Sequence, residues 1–238
     1  MTMSKRLLVS SAELPVALLT LALLAAPGVR AAEEHHHHHD LSQAGAADPH
    51  AHHRTMLEQA PPKAGTSADV KLHDQSLLTQ DGERVKFASD IIGDRIVVMD
   101  FVYTTCTTVC PVLSAVFAQV QERLGDRLGQ EVLLVSVSVD PTRDTPARLK
   151  AYAAKHQARD SWVWLTGEKP RVDQVLTGLG AYAPRFEDHP AMVLVGDARS
   201  GSWVRFFGFP GPDQILAAVD QLVAARQAAA VTPPTLQE

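Results

Sequence analysis

Residues 96–111 read I-V-V-M-D-F-V-Y-T-T-C-T-T-V-C-P and contain both cysteines of the chain, Cys106 and Cys110. Val97, Val98, Met99, Phe101, Val102 and Tyr103 make a run rich in β-branched and aromatic residues, which suits a strand buried on both faces. Phe101 and Tyr103 are expected in the core. After Pro111 the period changes. Leu113, Val116, Phe117, Val120 and Leu124 follow the i, i+3, i+4 spacing of a helix with one apolar face, and Gly125 is placed to end it. The cysteines therefore fall at a strand-to-helix junction. Proline suits a first helical turn, so Cys110 is expected at or next to the cap and Cys106 in the loop before it. Free N–H groups and the positive end of the helix dipole favour thiolate over thiol there. Two such thiolates can close a disulfide or grip a soft metal.

A chain of 238 residues with 45% hydrophobic and 21% charged content can bury one full core and an appendage. Its formal charge of −5 gives no basic footprint for nucleic acid. Lys5 and Arg6 form a basic start, residues 14–26 an apolar run of secretory length, and Val29-Arg30-Ala31 a small-x-small cleavage pattern. Residues 1–31 are thus expected to be a signal peptide and the protein periplasmic or otherwise exported. Only an uncleaved leader would tether it to a membrane, and its apolar run is shorter than the roughly 20 residues of a spanning helix. Removing it takes away three basic residues and one acidic residue and leaves a charge of −7. Export places the cysteines in an oxidising compartment.

Residues 32–66 show no period and an excess of Ala, His, Gln and Pro, the composition of a disordered arm. It carries His35, His36, His37, His38 and His39 in a row, then His50, His52 and His53, with Met56 close by. Imidazoles at that density bind Cu, Ni or Zn. The five-His run reads three ways: a metal-collecting arm, an affinity tag, or incidental polar low complexity. The second cluster is not tag-like.

The ordered domain is expected over residues 67–230, starting near Ala68, with a flexible tail over 231–238. Residues 77–79 and 84–87 flank Asp81-Gly82, a two-residue hairpin signal. Residues 131–139 are a second β-branched run, ending in Asp140-Pro141. Thr145-Pro146 offers an N-cap with proline at the first helical position, opening a helix to about residue 158. A short strand at 162–165, a short helix through Val172, Val175, Leu176 and Leu179, a hairpin at 192–195 and 203–207, and a C-terminal helix striped by Ile215, Leu216, Val219, Leu222 and Val223 complete the chain. The order hairpin, βαβα, βα, hairpin, α predicts an α/β fold with a mixed sheet and helices on both faces. A redox-type cysteine pair after the first long strand makes it thioredoxin-like.

Three motifs in this order, Y-T-T-C-T-T-V-C-P at 103–111, V-S-V-D-P-T-R-D-T-P at 137–146 and D-H-P-A at 188–191, resemble the Sco/SenC family over about residues 68–226. The resemblance implies a membrane-tethered or periplasmic thioredoxin-fold protein that delivers copper during assembly of cytochrome c oxidase, notably its copper A centre. It also implies Cys106, Cys110 and His189 as the copper ligands. Two thiolates and one imidazole agree with that chemistry, since they suit Cu(I) and accept Cu(II), whereas a closed structural zinc site wants four protein ligands.

Other expectations follow. Thr105, Thr107 and Thr108 stand where the family often carries a polar or His residue before the first cysteine and Pro-Asp after it, which bears on affinity and docking rather than on the metal. Asp140, at a strand end, is weighed as a supporting residue that orients a ligand against a role in loop architecture alone. His73 is assigned to the surface and His156 to helix packing. The expected partner is the copper A subunit of the oxidase or another copper enzyme, with another periplasmic copper carrier or a thiol reductant upstream. A second reading makes the protein a thiol-disulfide oxidoreductase or redox sensor, which would need both cysteines but not His189. A third is an interaction module with a passive disulfide.

Overall fold

A computed structural model describes residues 65–231. The leader, the arm histidines His35, His36, His37, His38, His39, His50, His52 and His53, and residues 232–238 lie outside the described residues. The strands are β1 (Thr66–Ser67), β2 (Ser76–Thr79), β3 (Arg84–Lys86), β4 (Ile96–Val102), β5 (Val132–Ser138), β6 (Trp162–Thr166), β7 (Met192–Asp197) and β8 (Ser202–Phe207). The α-helices are α1 (Val109–Leu124), α2 (Pro146–Lys155), α3 (Lys169–Leu179) and α4 (Pro212–Val231).

All strands join one sheet in the order β1-β8-β7-β4-β5-β6-β2-β3. Strands β4, β5 and β6 are parallel, as strands linked by helical crossovers must be, and the outer pairs are antiparallel. The β4 pattern explains its central place: every residue from Ile96 to Val102 is buried. Ile96, Val98 and Val102 pack with Leu113, Phe117, Val120, Leu149, Trp162 and Ile215 on one face, where α1, α2 and α4 lie. Val97, Met99 and Phe101 pack with Val172, Val175 and Leu179 of α3 on the other, together with Phe87, Ile91 and Ile92. Each such side chain contributes roughly 1.5–3 kcal/mol by leaving water, and this mixed sheet covered on both faces is the expected α/β architecture.

Four boundaries differ from the sequence reading. The fold begins at Thr66–Ser67, which pair with Arg205 and Val204 of β8. Nothing in two polar residues marks a strand; the β8 edge supplies the partner. The first hairpin has a three-residue loop, because Thr79 N–H donates to Glu83 O at 2.9 Å and Gly82 sits at φ +82° between them. The glycine takes the left-handed position that such a bulged turn needs. Phe87 opens a π-helical turn, Phe87–Ile92, instead of ending a strand, and the Asp74 carboxylate accepts from Ala88 N–H and Ser89 N–H there. Helix α1 begins at Val109, so Cys110 lies inside its first turn, beyond the cap position expected for it. The Thr145 cap is as expected, with its Oγ1 accepting from Arg148 N–H at 3.4 Å and Pro146 at the start of α2.

Candidate metal centre

Strand β4 delivers the chain to Tyr103, and residues 103–108 form the loop that carries Cys106 into α1. The loop is closed locally by Cys106 N–H donating to Tyr103 O at 3.0 Å. It is anchored from across the sheet by Asp144, which is 1% exposed. The Asp144 carboxylate accepts from Thr104 N–H at 3.1 Å, from Thr104 Oγ1 at 2.6 Å and from Ser138 Oγ at 2.7 Å. Thr166 Oγ1 donates to the Asp144 carbonyl at 2.7 Å, so one residue ties the cysteine loop to the ends of β5 and β6.

Both thiols are buried and free, and they are not equivalent. Cys110 N–H donates to Cys106 Sγ at 3.3 Å, as a first-turn amide should. Burial alone would raise the Cys106 thiol. Hydrogen bonds from the Cys110 thiol, from the main chain at Cys110 and Thr108 and from the Tyr103 hydroxyl outweigh it and bring Cys106 down to about 7. Cys110 moves the other way, raised first by burial and then by giving its proton to Cys106. The pair is therefore one nucleophilic sulfur beside one held as thiol. On the same sheet face the fully buried Asp100 accepts from Ser136 Oγ at 2.5 Å, and Trp162 Nε1 donates to that hydroxyl at 2.9 Å. Desolvation pushes Asp100 up to about 7 despite the Ser136 hydrogen bond.

His189 stands at the same edge of the sheet, three residues before β7 and just after a 3-10 turn, Phe186–Asp188. Its Nδ1 lies 2.7 Å from Phe186 O, the contact of an Nδ1–H donor, which leaves Nε2 as the ligating nitrogen. The His189 ring meets Tyr103 edge-on at 5.7 Å, and Tyr103 meets Phe186 edge-on at 5.0 Å. Tyr103 is half-buried at the mouth of the site instead of in the core, with its hydroxyl on Cys106 and its ring against His189. Among the described residues no three His, Cys, Asp or Glu side chains converge closely enough to hold a metal together. The structure brings Cys106 and Cys110 into contact and sets His189 across the Tyr103 ring from them. A cleft of about 340 Å³ opens beside the histidine, lined among others by Asp140, Tyr182, Arg185 and Glu187, and neither cysteine lines it.

Asp140 is 2% exposed, but its carboxylate accepts from Thr142 Oγ1 and Arg143 Nη1, both at 2.9 Å. It closes its own turn, the loop-architecture alternative, and the acid that reaches the cysteine loop is Asp144, four residues on. The one available signal was its place directly before the Thr145 cap. His156 caps α2 with its ring 5.0 Å from Tyr152, a packing role, and burial lowers its pKa. His73 is half-buried in the segment ahead of β2. Two thiolates and one imidazole remain a donor set for a soft metal in low coordination.

A model of the SCO1/SenC family matches residues 64–224. A SCO1 protein homolog of Bacillus subtilis is 36% identical over 89 residues, which are 37% of this chain and 45% of that protein, so the chain spans less than half of that relative's length. Among solved structures, BsSco, described as a member of the Sco family of cytochrome c oxidase assembly proteins with a disulfide switch, superposes with a TM-score of 0.56 at 24% identity. The superposition covers 67% of this chain and 96% of BsSco. Copper-bound ScoI of Arabidopsis thaliana superposes with a TM-score of 0.55 at 20% identity, covering 66% of this chain and 99% of ScoI. At these identities the two structures establish the shared thioredoxin-like fold.

Proposed function

Since the chain belongs to the SCO1/SenC family, we propose that it is an exported copper metallochaperone that carries copper on Cys106, Cys110 and His189 and passes it to the copper A centre of cytochrome c oxidase. The observation that carries this reading is the thiol pair at the start of α1, with one sulfur near neutral pKa, at the same sheet edge as an imidazole whose Nε2 is left for a metal. The copper-bound relative from Arabidopsis thaliana supports the choice of metal. Copper is the cargo. The two thiolates take it first, Nε2 of His189 completes the set when the Tyr103 ring moves aside, and thiols of the acceptor displace the three ligands in turn. Residues 1–31 direct export, and the work is done in the periplasm.

The test is titration of the reduced chain with Cu(II) beside a His189→Ala copy, following the sulfur-to-copper charge-transfer band, which the arm imidazoles do not produce. One copper bound per chain with a band that collapses in the variant is expected. A titration without stoichiometric binding, or with a band indifferent to His189, would contradict the reading.

The unequal thiols favour a second reading. In thiol-disulfide exchange the Cys106 thiolate attacks a disulfide of the partner and forms a mixed disulfide. The Cys110 thiol, on losing its proton, then attacks Cys106 and releases the partner reduced, leaving a Cys106–Cys110 disulfide for an external thiol reductant to reopen. This chemistry survives His189→Ala, which separates the two readings.

A further inference from the structure

We propose that Tyr103 decides which chemistry the thiols perform: its hydroxyl on Cys106 serves disulfide exchange, and its ring against His189 keeps the imidazole from joining a copper held on the two sulfurs. This selection rests on the copper and exchange readings above.

The chain places Tyr103 astride the end of the sheet. Strand β4 stops at Val102, so the next residue leaves the alternation that sends Val102 to one face and Phe101 to the other. Cys106 and Cys110 belong with Val102 to the buried cluster on the α1 face. Phe186, whose carbonyl holds the His189 ring, packs with Phe101 on the α3 face. Among the described residues Tyr103 is the one hydrophobic side chain packed against both clusters. The thiols and the histidine turn thus belong to opposite faces, and a metal site built from all three closes across the sheet end, where Tyr103 lies.

The two contacts of Tyr103 favour different chemistries. Its hydroxyl bonds Cys106, the sulfur that attacks a partner's disulfide. Its ring stands edge-on to His189 at 5.7 Å and to Phe186 at 5.0 Å. The Arg143 guanidinium lies over Phe186, 5.2 Å from the ring centre, and bonds Asp140 at 2.9 Å, so the ring that Tyr103 rests on is backed by the turn after β5. Exchange needs only the two sulfurs, which already touch. Copper capture asks for more. Tyr103 is half-buried, and it turns about its Cα–Cβ bond toward solvent, giving up its edge contacts and its bond to Cys106, while Cys106 N–H keeps its bond to the Tyr103 carbonyl. The thiol protons leave to solvent, both sulfurs bind the metal, and Nε2 of His189 adds to it with no change of oxidation state.

The experiment uses the full reduced chain and its Tyr103→Phe and Tyr103→Ala copies, with two readouts at neutral pH. Exchange is followed with dithiobis(nitrobenzoate) as the model disulfide: Cys106 attacks it, Cys110 closes onto Cys106, and both thionitrobenzoate halves are released as the Cys106–Cys110 disulfide forms. Copper capture is followed by stopped flow, as the rise of the sulfur-to-copper band after mixing with Cu(II) held by glycine. Tyr103→Phe is expected to slow exchange about fivefold, the effect of one hydrogen bond to a thiolate. Tyr103→Ala is expected to slow exchange as well, and to speed copper capture about fivefold beyond Tyr103→Phe, since the edge-on aromatic contacts no longer have to break. Phe186→Ala, which keeps the hydroxyl and removes the ring that Tyr103 rests on, is expected to speed copper capture too, and it guards against a Tyr103 variant that fails to fold. Exchange and capture moving in the same direction in Tyr103→Ala, as a general loosening of the site would move them, or neither moving in any variant, would overturn the selection. A wild-type chain that gives no band, or that leaves the model disulfide intact, would instead remove the copper or the exchange reading, and the selection with it.

Discussion

The two halves of the candidate site lie at one edge of one sheet and are built differently. The cysteine half is buried, and Asp144 ties it to β5 and β6: its carboxylate accepts from three donor groups, Thr104 N–H, Thr104 Oγ1 and Ser138 Oγ, and its carbonyl accepts from Thr166 Oγ1. The histidine half is a partly exposed loop beside a cleft, with one hydrogen bond from its imidazole to its own turn. The contrast is one of anchoring: the cysteine half is fixed by buried hydrogen bonds to two strands, whereas His189 is held by its own turn and by ring contact with Tyr103. Tyr103 stands between them and touches both.

The largest effect is expected from Asp144→Ala, which strips the carboxylate partner from Thr104 and Ser138 at a fully buried position and leaves the Thr166 bond to the main-chain carbonyl in place. A loss of about 3 kcal/mol in urea denaturation is expected, together with faster alkylation of Cys106. A loss below about 0.5 kcal/mol would mean that the cysteine half is not anchored there.

Next is pH dependence. Asp100 is raised in the folded protein, so its contribution to stability is full below the ordinary carboxylate value of 3.8 and is lost as pH climbs through about 7. Asp100→Asn should flatten the stability profile between those limits, and a profile identical to wild type would contradict the assignment. Cys106 has the opposite sign. Its lowered pKa contributes stability above the ordinary thiol value of 9.0, and that contribution is lost as pH falls through about 7. Iodoacetamide modification of Cys106 should therefore titrate near 7, while Cys110 stays unreactive until the medium is alkaline; equal reactivity of the two would sink the asymmetry.

Asp140→Ala should cost about 1 kcal/mol, since it frees Thr142 and the exposed Arg143, and should leave Cys106 alkylation unchanged. The smallest effect on stability, within about 0.5 kcal/mol, is expected from His189→Ala, whose one side-chain hydrogen bond is local.

Much of this was legible in the chain. The β4 run, the change of period at Pro111, the Thr145-Pro146 cap and the cysteine pair each follow from a local rule, and local rules read well from sequence. What was missed depends on contacts between distant segments. Thr66–Ser67 is a strand only because β8 offers an edge. Which acid of D-P-T-R-D-T-P turns toward the cysteines is decided by where β5 and β6 end, so Asp140 and Asp144 could not be told apart by spacing. Tyr103 fits the apolar pattern of β4, yet the strand stops one residue earlier and turns its hydroxyl onto Cys106.

The copper reading requires the anchored thiols and the outlying imidazole to act together on the metal. Titrating the reduced wild-type chain and its His189→Ala copy with Cu(II), and reading the sulfur-to-copper band, tests it most directly. One copper per wild-type chain and a band that collapses in the variant are expected, with the fold of both unchanged. Weak binding that ignores His189, alongside ready cycling between dithiol and disulfide, would contradict it and leave thiol exchange as the function of the site.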